Sequence, residues 1–339
     1  MVFKVEHGRI SIETRTLLLI AAFAAIYLVW GSTYLAIKYA IETMPPFLMA
    51  GTRFFTAGTI LFIAATRAAD FEMPRREHWR TSLIVGTLLL LGGNGLVVFA
   101  QHYISSSLAA LLIATEPFFV VILSWLWLKN GRPGFRVAAG LVVGFVGVAL
   151  LILGQGKGGF FGGGNGQLIG SIAIIGAALS WATGSIYGLK APVPKSSLLT
   201  AGMQMMSGGA VLLLVSLVTG EMFSFDIAAV SARSWAAVAY LLVFGSLVGF
   251  TAYSWLLKNA QPSMVATYAY VNPVVAVLLG WGIAGEALTP MIMIGAAVVV
   301  ASVALVTFQK GPRKTQPKSE PVRSAESAAT GEQPLTASA

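Results

Sequence analysis

Two ionisable side chains, Arg53 and Glu116, fall deep inside long apolar runs of this sequence. A charge at the centre of a bilayer costs at least ~2.5–3.5 kcal/mol on insertion scales, so such residues usually pair or face water. Each sits about eight residues from the same end of its run, a matched depth of ~12 Å at 1.5 Å per residue. The two are therefore expected to form an intramembrane charge pair. Three roles stay open for it: a bridge that only orients helices, a lining of a solute cavity, or a site that couples transport to protons.

Polar and aromatic residues surround these charges in the sequence. Tyr27, Trp30, Tyr34 and Lys38 recur at spacings of three, four and four, on one helical face. The second half offers Trp181 and Tyr187, and Tyr268 four residues before Asn272. Asn94 shares a helical face with Gln101 at a spacing of seven. Trp30, Tyr34, Asn94, Trp181, Tyr187, Tyr268 and Asn272 are the candidate substrate-binding residues, with core packing as the competing reading. Such rings hold an apolar or cationic solute by contact area and cation–π attraction. Trp235 and Trp255 fit an interfacial belt. Gln101 suits a hydrogen bond between helices. Pro117 and Pro273 are candidate helix breaks, since a proline inside a helix leaves the carbonyl four residues earlier, Ile113 or Ala269, without its usual donor. Such breaks serve packing alone, or they expose carbonyls to a polar cavity.

The elements that position these residues come in two copies. Ala50-Gly51-Thr52-Arg53 returns as Ala201-Gly202-Met203-Gln204 and Trp30 as Trp181, both 151 residues on; Glu116-Pro117 returns as Asn272-Pro273, 156 residues on. Interrupted apolar segments at corresponding places in two halves point to a transporter with its site between them. The 339 residues are 56% hydrophobic and only 10% charged, against about 25% charged in a soluble domain. Ten apolar stretches of about 20 residues, the length that crosses a bilayer, lie near 17–38, 46–66, 81–101, 107–128, 137–153, 168–189, 198–218, 235–257, 263–283 and 290–308. The expected fold is an all-α integral membrane protein of ten transmembrane helices, as two inverted five-helix repeats. Repeat one spans 17–153 and repeat two 168–308, joined by a Gly-rich linker at 154–167 and flanked by a cytoplasmic segment at 1–16 and a disordered cytoplasmic tail at 309–339. The fifth helix of repeat one carries Gly140, Gly144 and Gly147, a small-residue face suited to close helix contact or to a homodimer.

The net charge of +9 reads as topology, not nucleic-acid binding. With the amino terminus inside, most basic residues, Arg67, Arg75, Arg76 and Arg80 among them, fall on cytoplasmic segments, and only Lys38, Lys157 and Arg233 lie opposite. Both termini are then cytoplasmic. Residues 1–16 lack the shape of a cleaved signal, so the first helix is read as an uncleaved anchor. With no cysteine and three scattered histidines, no metal site and no cofactor are expected.

The run Trp30 to Tyr34 (Trp-Gly-Ser-Thr-Tyr), the run Ala50 to Phe54 (Ala-Gly-Thr-Arg-Phe), the Glu-Pro pair and the duplicated unit resemble the EamA family of the drug/metabolite transporter superfamily, most of all its YedA-like inner-membrane permeases. The resemblance covers about 17–308. It implies a multi-pass permease of the bacterial inner membrane, most often an exporter of amino acids or other small metabolites, with a cavity between the repeats. Gln204 and Asn272 depart from the charges of the first repeat. An intramembrane enzyme acting on lipid would need a nucleophile with a base, paired aspartates or a metal motif, and the sequence offers none. A channel is the other alternative. The preferred reading is a secondary transporter whose partners are a small-molecule substrate and the lipid bilayer.

Overall fold

Helix α1 runs from 12 to 40, and its regular turns widen to π-helix at Ala25–Val29. The computed structural model describes residues 12–68, 71–128, 134–153, 165–260, 262–265 and 267–307; these belong to one compact unit. The first eleven residues, most of the Gly-rich linker (154–164) and the tail lie outside the described residues. Described residues 165–167, expected in the linker, already form the start of a helix.

The remaining elements are α2 (Pro46–Thr66), α3 (Arg76–Ala100, widened to π-helix over Thr87–Gly95), α4 (Ser106–Ile113), α5 (Glu116–Leu128), α6 (Phe135–Leu153), α7 (Asn165–Gly188) and α8 (Ser197–Val218). They are followed by α9 (Glu221–Ser224), α10 (232–259, π-helical over Leu241–Val248), α11 (Pro262–Val265), α12 (Tyr268–Ala284) and α13 (Pro290–Thr307). Among the described residues, seven helices are long and apolar enough to cross a membrane, and three shorter apolar ones cover Val137–Leu151, Val271–Ala284 and Ile292–Ser302. The described residues are all-helical.

Helix α2 lies along α8, α6 along α13, α3 along α7, and α1 against both α10 and α12. Small residues make the closest approach possible: a Cβ on Gly58 would strike the backbone nitrogen of Met206, and one on Gly202 would meet Phe62. The same economy gives the glycine face of α6 the close helix contact expected of it. A side chain at Gly144 would collide with the Phe118 ring, and one at Gly147 with Val298 and Val299 of α13. Gly144 and Gly147 are thus packed within the chain.

The two prolines act differently. Pro273 lies inside α12 as expected. Pro117 marks a break but does not lie in mid-helix: α4 stops at Ile113, a turn at Ala114–Thr115 intervenes, and α5 begins at Glu116. Pro117 therefore occupies the first turn of a new helix, where its missing N–H removes no intrahelical bond. The Thr115 hydroxyl donates to the Leu112 carbonyl at 2.8 Å, supplying one of the partners that the end of α4 needs.

Candidate functional site

The three π-helical segments surround one cavity. Widened turns displace side chains from regular register and leave carbonyls short of partners, and they recur at functional sites. Trp30 closes the segment in α1, Gly93 and Asn94 lie within that of α3, and Gly245 within that of α10; all four line the cavity. It measures about 100 Å³, and its wall also includes Tyr34, Arg53, Glu116, Trp181, Tyr268, Asn272 and Pro273.

Trp30 is fixed by an aromatic box. Its indole N–H donates to the Gly245 carbonyl at 3.2 Å, and its ring centroid lies 5.2 to 5.6 Å from those of Tyr253, Tyr268 and Phe250. Its five-membered ring leaves no room for a Cβ at Gly249, just as Trp181 leaves none at Gly93. Gly93 and Gly249 are 156 residues apart, the offset that also relates Glu116 to Asn272. Each half thus lays its tryptophan on a glycine of the other half.

The charges lie in the same cavity, but the expected ion pair between them is absent. Arg53 is 4% exposed; its Nε donates to the Ser246 hydroxyl at 2.8 Å, and its Nη1 has no partner on the protein. Glu116 instead accepts from the Tyr268 hydroxyl at 3.2 Å. Each charge has a neutral partner instead: the π-helical segment of α10 brings Ser246 to α2, and the first residue of α12, Tyr268, reaches α5. Matched depth placed the charges at one level without fixing the angle at which they face each other.

Asn272 serves α1. With its amide nitrogen toward that helix, it donates to the carbonyls of Ile26 and Tyr27 at 3.2 and 3.1 Å, within the widened segment. Tyr187 departs from expectation: it is 37% exposed near the end of α7 and lies away from the cavity. Six residues after Trp181, it points about 120° away at ~100° per residue. Gln101 is buried with no protein partner for either amide atom, so the expected interhelical bond is absent. Trp235 is exposed, whereas Trp255 packs against Ile26, Leu256 and Val265.

Sequence reasoning missed Thr33, Ser246, Phe250 and Tyr253. It also missed a polar cluster at one end of the bundle. The Glu286 carboxylate, in the turn after α12, accepts from Lys38 Nζ at 2.9 Å, from the backbone N–H of Ser106 and Ser107 at 2.9 and 3.0 Å, and from both serine hydroxyls. Burial pushes this carboxyl up, but hydrogen bonds from Ser107, Lys38 and Ser106 outweigh it and hold the pKa at about 2. The one available clue was Glu286 after Gly285, whose φ of +65° turns the chain back.

The sequence model of the EamA-like transporter family matches residues 16–153 and 168–308. The chain is 36% identical over 305 residues to the "Uncharacterized inner membrane transporter YedA" of Escherichia coli strain K12, covering 90% of this chain and 95% of that protein. It is 28% identical over 307 residues to the "Uncharacterized transporter YvbV" of Bacillus subtilis strain 168, covering 89% and 94%. One solved crystal structure superposes with a TM-score of 0.59 at 22% identity, over 86% of this chain and 97% of that one, a likeness of fold.

Proposed function

We propose, since this chain belongs to the EamA-like transporter family, that it carries small zwitterionic solutes by alternating access through the cavity between its halves. Membership makes it a membrane transporter and not an enzyme. The observation that carries the solute class is that Arg53, whose buried Nη1 has no partner on the protein, lines the same aromatic-walled cavity as Glu116. An unpaired buried charge is costly, and a solute carboxylate would partner Arg53 while its ammonium met Glu116. Trp30, Tyr34, Trp181 and Tyr268 would cover the rest of it, with Asn94 and Asn272 as neutral polar contacts. Amino acids and related metabolites have this chemistry, and export is the direction we assign. The cavity is smaller than the ~150 Å³ that encloses benzene, so the helices must part for anything larger.

The architecture proposed is two inverted repeats, 17–153 and 168–308, with ten spans and both termini cytoplasmic in a bacterial inner membrane. The reciprocal packing supports it: α1 on α10 answers α7 on α3, and the two tryptophan–glycine contacts repeat at the internal offset. The basic residues of the loops support the orientation. Comparing the medium of cells lacking and overproducing the protein tests the reading. Zwitterionic metabolites should accumulate outside on overproduction and should not when Arg53→Gln is overproduced. Equal accumulation with the variant would remove the basis for the solute class.

A further inference from the structure

From the cluster at Glu286, we infer that the half-helix α4 is the outer gate of the transport cavity, latched shut by Glu286 and Lys38. The inference rests on reading that cavity as the transport site. Three segments meet at one carboxylate: α1 through Lys38, the start of α4 through Ser106 and Ser107, and the turn after α12 through Glu286 itself, which is 7% exposed at its side chain. Directly below, Ile37 and Ile113 line the cavity. The latch therefore stands over the site, at the end of the bundle that loop charge assigns to the outside. Helix α4 has what a moving lid needs. It is set off from α5 by the turn at Ala114–Thr115, at cavity level, and it plugs the bundle, with Ser106 to Leu112 buried among α12, α7 and α1. Gly280 lets it sit there, because a Cβ at that position would strike both Ser107 Oγ and the Glu286 carboxylate.

The sequence does not repeat these groups in the other half. At the offsets relating the halves, Lys38 corresponds to Leu189, Glu286 to Asn130, and Ser106 to Pro262. The ion pair at the other end, Lys195 with Glu72, is solvent-exposed and so weak; the buried Glu286 latch therefore favours the state closed on its own side, and a ligand or mutation shifts the balance by the free energy it takes from the latch.

The chain has no cysteine, so a single Ala114→Cys reports access to the cavity. A membrane-impermeant sulfonated thiol reagent is applied from either side of oriented vesicles. Glu286→Gln and Lys38→Met should each raise the labelling rate from the outside about tenfold, which is about 1.4 kcal/mol. Thermal melts establish that the variants remain folded. As a second arm, Gly280→Ala, whose methyl group would strike Ser107 Oγ and the Glu286 carboxylate, should raise outside labelling as the latch variants do. Unchanged outside labelling in folded variants would overturn the gate alone. Labelling from neither side in any variant would instead overturn the cavity as the transport site.

Discussion

Arg53 donates through Nε to Ser246 across 2.8 Å, joining α2 to the widened turn of α10. That bond fixes the guanidinium of a cavity-lining residue while Nη1 stays buried without a protein partner. Arg53→Lys keeps the charge but loses the planar fork that a carboxylate meets with two parallel bonds. It should weaken apparent solute affinity by roughly tenfold or more, with folded yield little changed. Vesicle transport at several solute concentrations separates the affinity loss from a yield loss.

Because Arg53 and Glu116 do not bond to each other, changing both should not rescue either. Losses of stability for Arg53→Gln and Glu116→Gln should add to within about 0.3–0.5 kcal/mol, as at independent sites. A double variant more stable than either single one would restore the ion pair to the account. Melting of the purified proteins in detergent decides it.

Tyr268→Phe removes the donor to Glu116 and leaves the ring that packs on Trp30. A hydrogen bond to a charged group contributes about 1.5–3 kcal/mol, so solute affinity should change by roughly tenfold while yield holds. Tyr268→Ala also empties the aromatic box and should lose yield, at ~3–5 kcal/mol for a large ring. A Phe variant that collapses as the Ala variant does would make the residue purely structural.

The polar residues that interrupt apolar runs were legible, because in lipid an isolated Arg53, Glu116 or Asn272 needs a reason that a soluble surface would not demand. Trp30, Tyr34, Asn94, Trp181 and Tyr268 do reach the cavity with them. Partners were not legible. Ser246 and Tyr268 were reached through a widened turn and a short helix start, and neither leaves a periodic signal. Tyr187 misled because shared membership of a helix says nothing about face until the ~100° step is counted. Lys38 looked like one more rung of an aromatic stripe, and its partner lies 248 residues away.

Glu286 makes a prediction about pH. Its folded pKa is depressed to about 2, so the stability it contributes is full above the ordinary carboxylate value of 4.5 and is lost only as pH falls through about 2. The melting-temperature difference between wild type and Glu286→Gln should therefore stay constant between about pH 5 and 8. A difference that fades within that window would mean the carboxylate is not held as described.

The central claim is that the cavity between Arg53 and Glu116 carries a zwitterionic solute. Its most direct test is counterflow in vesicles holding purified protein, loaded with a mixture of amino acids and supplied with labelled ones outside, with rates normalised to folded protein. The account predicts exchange of at least one zwitterion by the wild type and a loss of roughly a hundredfold in Arg53→Gln, the scale of one lost charged contact at ~2–3 kcal/mol. Exchange by Arg53→Gln at the wild-type rate and affinity would contradict it.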